Sequence, residues 1–127
     1  MPHTVTTFTT PSVAATSFLN HNQVIANSNI HIYKIKVVPS IVGGTSEVQV
    51  YEKDTFLTAD LLYGSNPFAG TYFDPIQKDS AGVITEAKRG YLVPYEDVDA
   101  TTELHMKFIN NDSQAKTYDV TVEWEPR

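Results

Sequence analysis

The four histidines, His3, His21, His31 and His105, are scattered, and no two stand at the i, i+4 spacing that puts a pair of imidazoles on one helix face for zinc. A zinc site would have to be assembled by the fold from distant segments. His105 falls on the polar side of an alternating run and reads as an ordinary solvent-facing residue. Nucleophilic chemistry lacks its parts: there is no cysteine, no G-x-S-x-G elbow and no G-x-x-x-x-G-K phosphate loop. Gly43-Gly44-Thr45 has neither the lysine nor the helix that such a loop requires. The densest acidic group is Glu96, Asp97 and Asp99, with Asp74, Asp79 and Asp112 as further loop carboxylates that could converge on it. Calcium takes several oxygens from flexible loops, but nothing here matches D-x-[DN]-x-[DN]-G. A hydrated loop is therefore expected, with Glu96, Asp97 and Asp99 the residues a calcium ion would use if one bound. A carboxylate pair for glycoside hydrolysis needs a separation of about 5–9.5 Å across a cleft, which spacing in sequence does not define. No catalytic residue, cofactor or metal is expected.

Aromatic side chains are the other chemistry on offer. Tyr63, Phe68, Tyr72, Phe73, Tyr91 and Tyr95 crowd the loop-rich middle. They read either as residues that rim a core with a wet hydroxyl or as rings that stack on sugars or anchor a protein interface. Trp124 alternates with apolar positions and is assigned to the core.

The chain that must position these groups has 127 residues, Lys plus Arg 9 and Asp plus Glu 15, a net charge of −6. That is one domain's length. An acidic chain with no basic cluster repels phosphate backbones, so no nucleic acid is expected. No apolar run approaches the roughly 20 residues of a membrane helix, and MPHTVTTFTTPSV lacks the basic and apolar regions of a signal peptide. The charge is unevenly spread. Residues 1 to 33 contain no Asp, Glu, Lys or Arg, whereas the chain-wide 19% would place about six there. This stretch is rich in Thr, Ser and Asn, with spaced apolar residues. It reads as an edge strand plus loop of the same domain, or as an arm, residues 1–28, ordered by a partner subunit, with Val5, Phe8, Val13, Phe18 and Leu19 as its interface residues. The expected division is that arm followed by a single β-sandwich over residues 29–127.

Beyond the arm, the hydrophobic period is two nearly everywhere. Leu104, Met106 and Phe108 share a face with Thr102, and Tyr118, Val120, Val122 and Trp124 share another, with Glu103, His105, Lys107, Asp119, Thr121 and Glu123 opposite. The Asn110-Asn111-Asp112-Ser113 turn cluster between them suggests a hairpin, although the five to seven intervening residues fit one loosely. In residues 29–38, Ile30 and Ile32 are out of phase with Tyr33, Ile35 and Val37, which predicts a bulge or a strand buried on both faces. Pro39 ends it, and residues 47–51 return as a second strand of a hairpin. Residues 55–63 fit either period and are read as a strand; 64–70 and 74–82 read as loops, with short strands at 71–73, 83–85 and 91–93. About eight short strands with regular turn signals fit an all-β antiparallel sandwich, jelly-roll-like.

The order IHIYKIKVVP, VQVYEKDTFLTADLLYG, YLVPYEDV and LHMKFINNDSQAKTYDVTVEW resembles the small acidic β-sandwich proteins of tailed-phage virions, the capsid decoration or cement proteins and tail accessory subunits. The resemblance covers Ile30 to Trp124 and carries no diagnostic motif. It implies a non-enzymatic virion structural protein, a homo-oligomer and often a trimer, that stabilises the major capsid protein lattice through interface burial and an N-terminal arm. Virion localisation follows from the same resemblance. The competing class is a carbohydrate-binding or adhesion module that would take a glycan on its aromatic loops.

Overall fold

The computed structural model describes residues 4–41, 44–69, 73, 75–78, 84–86, 90–91, 99–100 and 103–126. Ten strands form two antiparallel sheets: β1 (Thr4–Thr9), β2 (Ser17–Val24), β3 (Ile30–Pro39), β4 (Ser46–Tyr51), β5 (Leu61–Ser65), β6 (Pro75–Lys78), β7 (Ile84–Glu86), β8 (Asp99–Ala100), β9 (Glu103–Asn110) and β10 (Tyr118–Pro126). Sheet 1 has the order β1-β10-β3-β8, and sheet 2 the order β2-β9-β4-β5-β6-β7. Among the described residues the one helical element is the 3-10 turn Thr58–Asp60.

The strand order is that of a jelly roll. The chain behaves as one long antiparallel ribbon folded back on itself, pairing β1 with β10, β2 with β9, β3 with β8 and β4 with β5. Successive ribbon pairs fall in alternate sheets, so each crossover carries two chain segments from one sheet to the other. The pairs β6 and β7 extend sheet 2 beyond this frame.

Period two explains why the layers close. Leu104, Met106 and Phe108 of β9 and Val48 and Val50 of β4 are buried against Ile35 and Val37 of β3 and Tyr118, Val120 and Val122 of β10. The Phe108 and Tyr118 rings stack across the layers with centroids 5.3 Å apart. Burial on this scale removes about 25 cal/mol of free energy per Å² of apolar surface taken from water, and it supplies the main force holding the sheets together.

Four expectations change. Residues 4–24, within the expected arm of residues 1–28, instead fold as the outer strand of each sheet, β1 on β10 and β2 on β9. The two expected hairpins do not form: β9 and β10 lie in different sheets, as do β3 and β4. Alternation fixes which side chains point inward and leaves the hydrogen-bonding partner open, so the faces follow the sequence and the pairings do not. Residues 75–78, expected as loop, form β6, and Gly64 and Ser65 complete β5. In residues 55–63 the 3-10 turn precedes the strand, which starts at Leu61. The expected strands at 71–73 and 91–93 fall mostly outside the described residues.

The phase slip in β3 is a bulge. Glu123 pairs with Lys34 and Trp124 with Ile32, leaving Tyr33 as the extra residue. One inserted position lets Ile30 and Ile32 and then Ile35 and Val37 all face the core. The Tyr33 hydroxyl donates to the Glu125 carboxylate on the neighbouring strand.

Candidate assembly edge

Among the described residues both N-terminal strands terminate their sheets, and the Phe8 and His21 rings stack at 5.6 Å between them, so β1 and β2 border the same side of the sandwich. They form a double edge of 6 and 8 residues with no formally charged side chain. Charge is a usual protection of a sheet edge against pairing with another chain, and β1 and β2 carry none.

Side chains fix β1 to its neighbour. The Trp124 indole N–H donates to Thr6 Oγ1 at 2.9 Å, and Thr9 Oγ1 donates to Asp119 Oδ1 at 2.6 Å. Between β1 and β2 the chain crosses from sheet 1 to sheet 2 beside the β9–β10 crossover. Val13 and Lys116 exchange backbone hydrogen bonds of 2.7 and 3.0 Å, and the Thr10 N–H donates to the Tyr118 carbonyl at 3.0 Å. Thr16, at φ 52°, donates its N–H to the Asp112 carbonyl at 3.0 Å and turns the chain into β2.

A buried polar corner locks this crossover. Asn110 Nδ2 donates to the carbonyls of Val13, Ala14 and Gln114, at 3.1, 3.3 and 2.8 Å, while its Oδ1 accepts from the Asp112 N–H at 2.9 Å. Lys116, 2% exposed, places Nζ 3.4 Å from Asp112 Oδ2. Desolvation raises the Asp112 pKa, but the Ser113 backbone N–H and Lys116 outweigh it and hold the carboxyl below its usual value. Ser46 Oγ and the Tyr118 hydroxyl lie 2.7 Å apart. Burial pushes the Tyr118 phenol up, and the Asp112 charge adds to this against the Ser46 hydrogen bond. Each of these groups has a hydrogen-bonding or ionic partner, as buried polar groups must, so the corner ties the crossover together.

The expected interface residues separate into two groups. Val5 and Phe18 are 60% and 56% exposed, while Val13 is buried and Phe8 and Leu19 pack against the core. Sequence reasoning missed Val24, which is as exposed as Phe18 at 56%. Its signal was strand parity, since 18, 20, 22 and 24 share the outward face of β2. Of the aromatic candidates, Tyr63, Phe68 and Phe73 are core residues, and Tyr91 lies under the Lys34 ammonium, 4.2 Å from its ring centre. Trp124 is half-buried, packed against the core's margin. Tyr72, Tyr95, Asp74, Asp79, Glu96 and Asp97 lie outside the described residues, as does the side chain of Asp99. Among the described residues no group of three or more His, Cys, Asp or Glu is gathered as a metal site, and no helix is long and apolar enough to cross a membrane.

The outer face of sheet 2 carries a second set of polar groups. Pairing places Asn20, Lys107 and Gln49 in one row and Asn22, His105 and Tyr51 in the next. Asn22 Oδ1 lies 2.6 Å from His105 Nδ1, and the Phe56 ring stands edge-on to both Tyr51 and His105. Lys107 Nζ sits 4.3 Å from the centre of the Phe18 ring.

No protein-family model matches the chain, and no curated protein matches it significantly.

Proposed function

We propose that this protein is a non-enzymatic virion structural subunit, of the capsid decoration or cement kind, that joins its own copies and a shell of major capsid protein by burying uncharged edge surface. The observation that carries the reading is the double edge β1/β2, strands of 6 and 8 residues without a formally charged side chain. Chain association at such an edge gains main-chain hydrogen bonds and loses no ionic solvation. The jelly roll is a fold that viral capsid proteins use, although the same architecture serves lectins and cupins. The test is physical association with particles. Cells carrying the gene are infected or induced, the lysate is banded by density, and the bands are analysed by mass spectrometry. Peptides of this chain should co-band with tailed particles at many copies per particle; recovery solely in the soluble fraction contradicts the reading.

A glycan-binding role is favoured by one observation, the outer face of sheet 2, where Asn20, Asn22, Gln49 and His105 offer hydrogen-bonding groups beside the Phe56 and Tyr51 rings. Retention on an oligosaccharide array that His105→Ala abolishes would support it, and no retention would remove it.

A further inference from the structure

We infer that β2 is a two-fold self-pairing strand: two copies of the chain join β2 to β2 antiparallel, in a register centred on His21, so that the two six-stranded sheets become one. The inference rests on the reading of the β1/β2 side as an assembly edge and names the occupant of its β2 half.

Symmetry selects the register. In an antiparallel pair related by a two-fold axis perpendicular to the sheet, residues of equal parity face each other and outward side chains stay outward. The two large exposed hydrophobics of β2, Phe18 and Val24, are each 56% exposed and each stand three residues from His21. Centring on His21 places Phe18 opposite Val24 of the second copy, twice, and Asn20 opposite Asn22 of the second copy, twice. Apolar faces apolar and amide faces amide, which are the favourable cross-strand combinations. Centring on Asn20 or Asn22 sets Phe18 or Val24 against an amide or beyond the strand end. β1 has no such symmetry, since its two large apolar residues, Val5 and Phe8, have opposite parity.

Charge agrees with the same register. On β9, Lys107 is aligned with Asn20 and Glu103 with Val24. Across the joined strands Lys107 then lines up with His105 of the second copy, and Glu103 with Ile109 of the second copy. Three strand spacings separate β9 from its copy, about 14 Å, beyond the Debye length of about 8 Å at physiological salt. For a chain of net charge −6, this edge lets two copies approach without setting like charges against each other.

The decisive experiment uses the whole chain in sedimentation velocity, with circular dichroism as the check on folding. The wild type should sediment as twice the 14.1 kDa chain mass. Asn20→Glu with Asn22→Glu sets acid against acid in the proposed register and should give a folded monomer. Asn20→Glu with Asn22→Lys has the same number of new charges but sets opposite charges face to face at both symmetric positions, and it should restore the dimer. A wild-type monomer or trimer, or a Glu/Lys variant as monomeric as the Glu/Glu one, overturns the register. A monomer that still co-bands with particles refutes this inference alone. A dimer of the proposed register in a chain never found in particles refutes the functional reading alone.

Discussion

Phe108 and Trp124 illustrate what a residue's own surroundings decide. Both stand on alternating strands, and from sequence both belong to the core, yet Phe108 is fully buried and stacked on Tyr118, while Trp124 is half-buried at the margin with its N–H on Thr6. Phe108→Ala should cost about 3–5 kcal/mol as a large cavity in a packed interior. Trp124→Ala should cost less, about 1–3 kcal/mol, through partial loss of packing and one hydrogen bond. Urea denaturation separates the two, and equal losses would contradict the placement of the indole. Parity identified the inward side of both residues; depth was not legible, because it depends on β1 lying alongside Trp124 and on a second layer lying over Phe108. Asp112 supplies a pH prediction. Its folded pKa is lowered by Ser113 and Lys116 despite desolvation. The stability it contributes is therefore fully present above the ordinary aspartate value of about 4 and is lost as pH falls through the depressed folded value. Asp112→Asn should flatten this part of the acid limb of the stability curve, and an unchanged limb would show that the carboxylate makes no such contribution.

At the scale of elements, β3, β4, β9 and β10 were readable as strands, whereas β6 and the pairing of every strand were not. The alternation of β9, β10 and β4 and the phase slip of β3 are local properties, so they survive as faces and as a bulge. The sheet to which each strand belongs is set by the corners, where Asn110 and Lys116 both bind the backbone of Val13, 97 and 103 residues distant in sequence. Such long-range partners leave no periodic trace. Gly44 is part of that corner: its φ is +60°, and a Cβ would lie 2.4 Å from Asp112 Cγ. Gly44→Ala should therefore lower stability by about 1–3 kcal/mol from the left-handed conformation alone, with displacement of Asp112 in addition; an unshifted urea midpoint would contradict it. Removing residues 1–24 is a harsher test of the same corner. It strips β10 and β9 of their outer partners and takes Val13 from the core. The truncated chain should lose its cooperative unfolding transition, whereas retention of a wild-type transition would restore the arm of residues 1–28 as a dispensable appendage.

For the whole molecule the distribution of charge carries the argument. Composition alone reveals the uncharged residues 1 to 33, the feature on which the proposed assembly role rests. The sequence did not reveal that the segment divides into two strands bordering one side of a sandwich, because this follows from the ribbon-like pairing of the chain's beginning with its end. The surface is built into the fold, and its outward residues, Val5, Phe18 and Val24, are available while Val13 is not. Peptide-resolved hydrogen exchange across a concentration series measures both halves of this account at once. Amides of Thr4–Thr9 and Ser17–Val24 should be protected at every concentration, and those of Ser17–Val24 should slow further as concentration rises, while β9 stays unchanged. Exchange of both segments at the rate of unstructured chain, at all concentrations, would contradict the account.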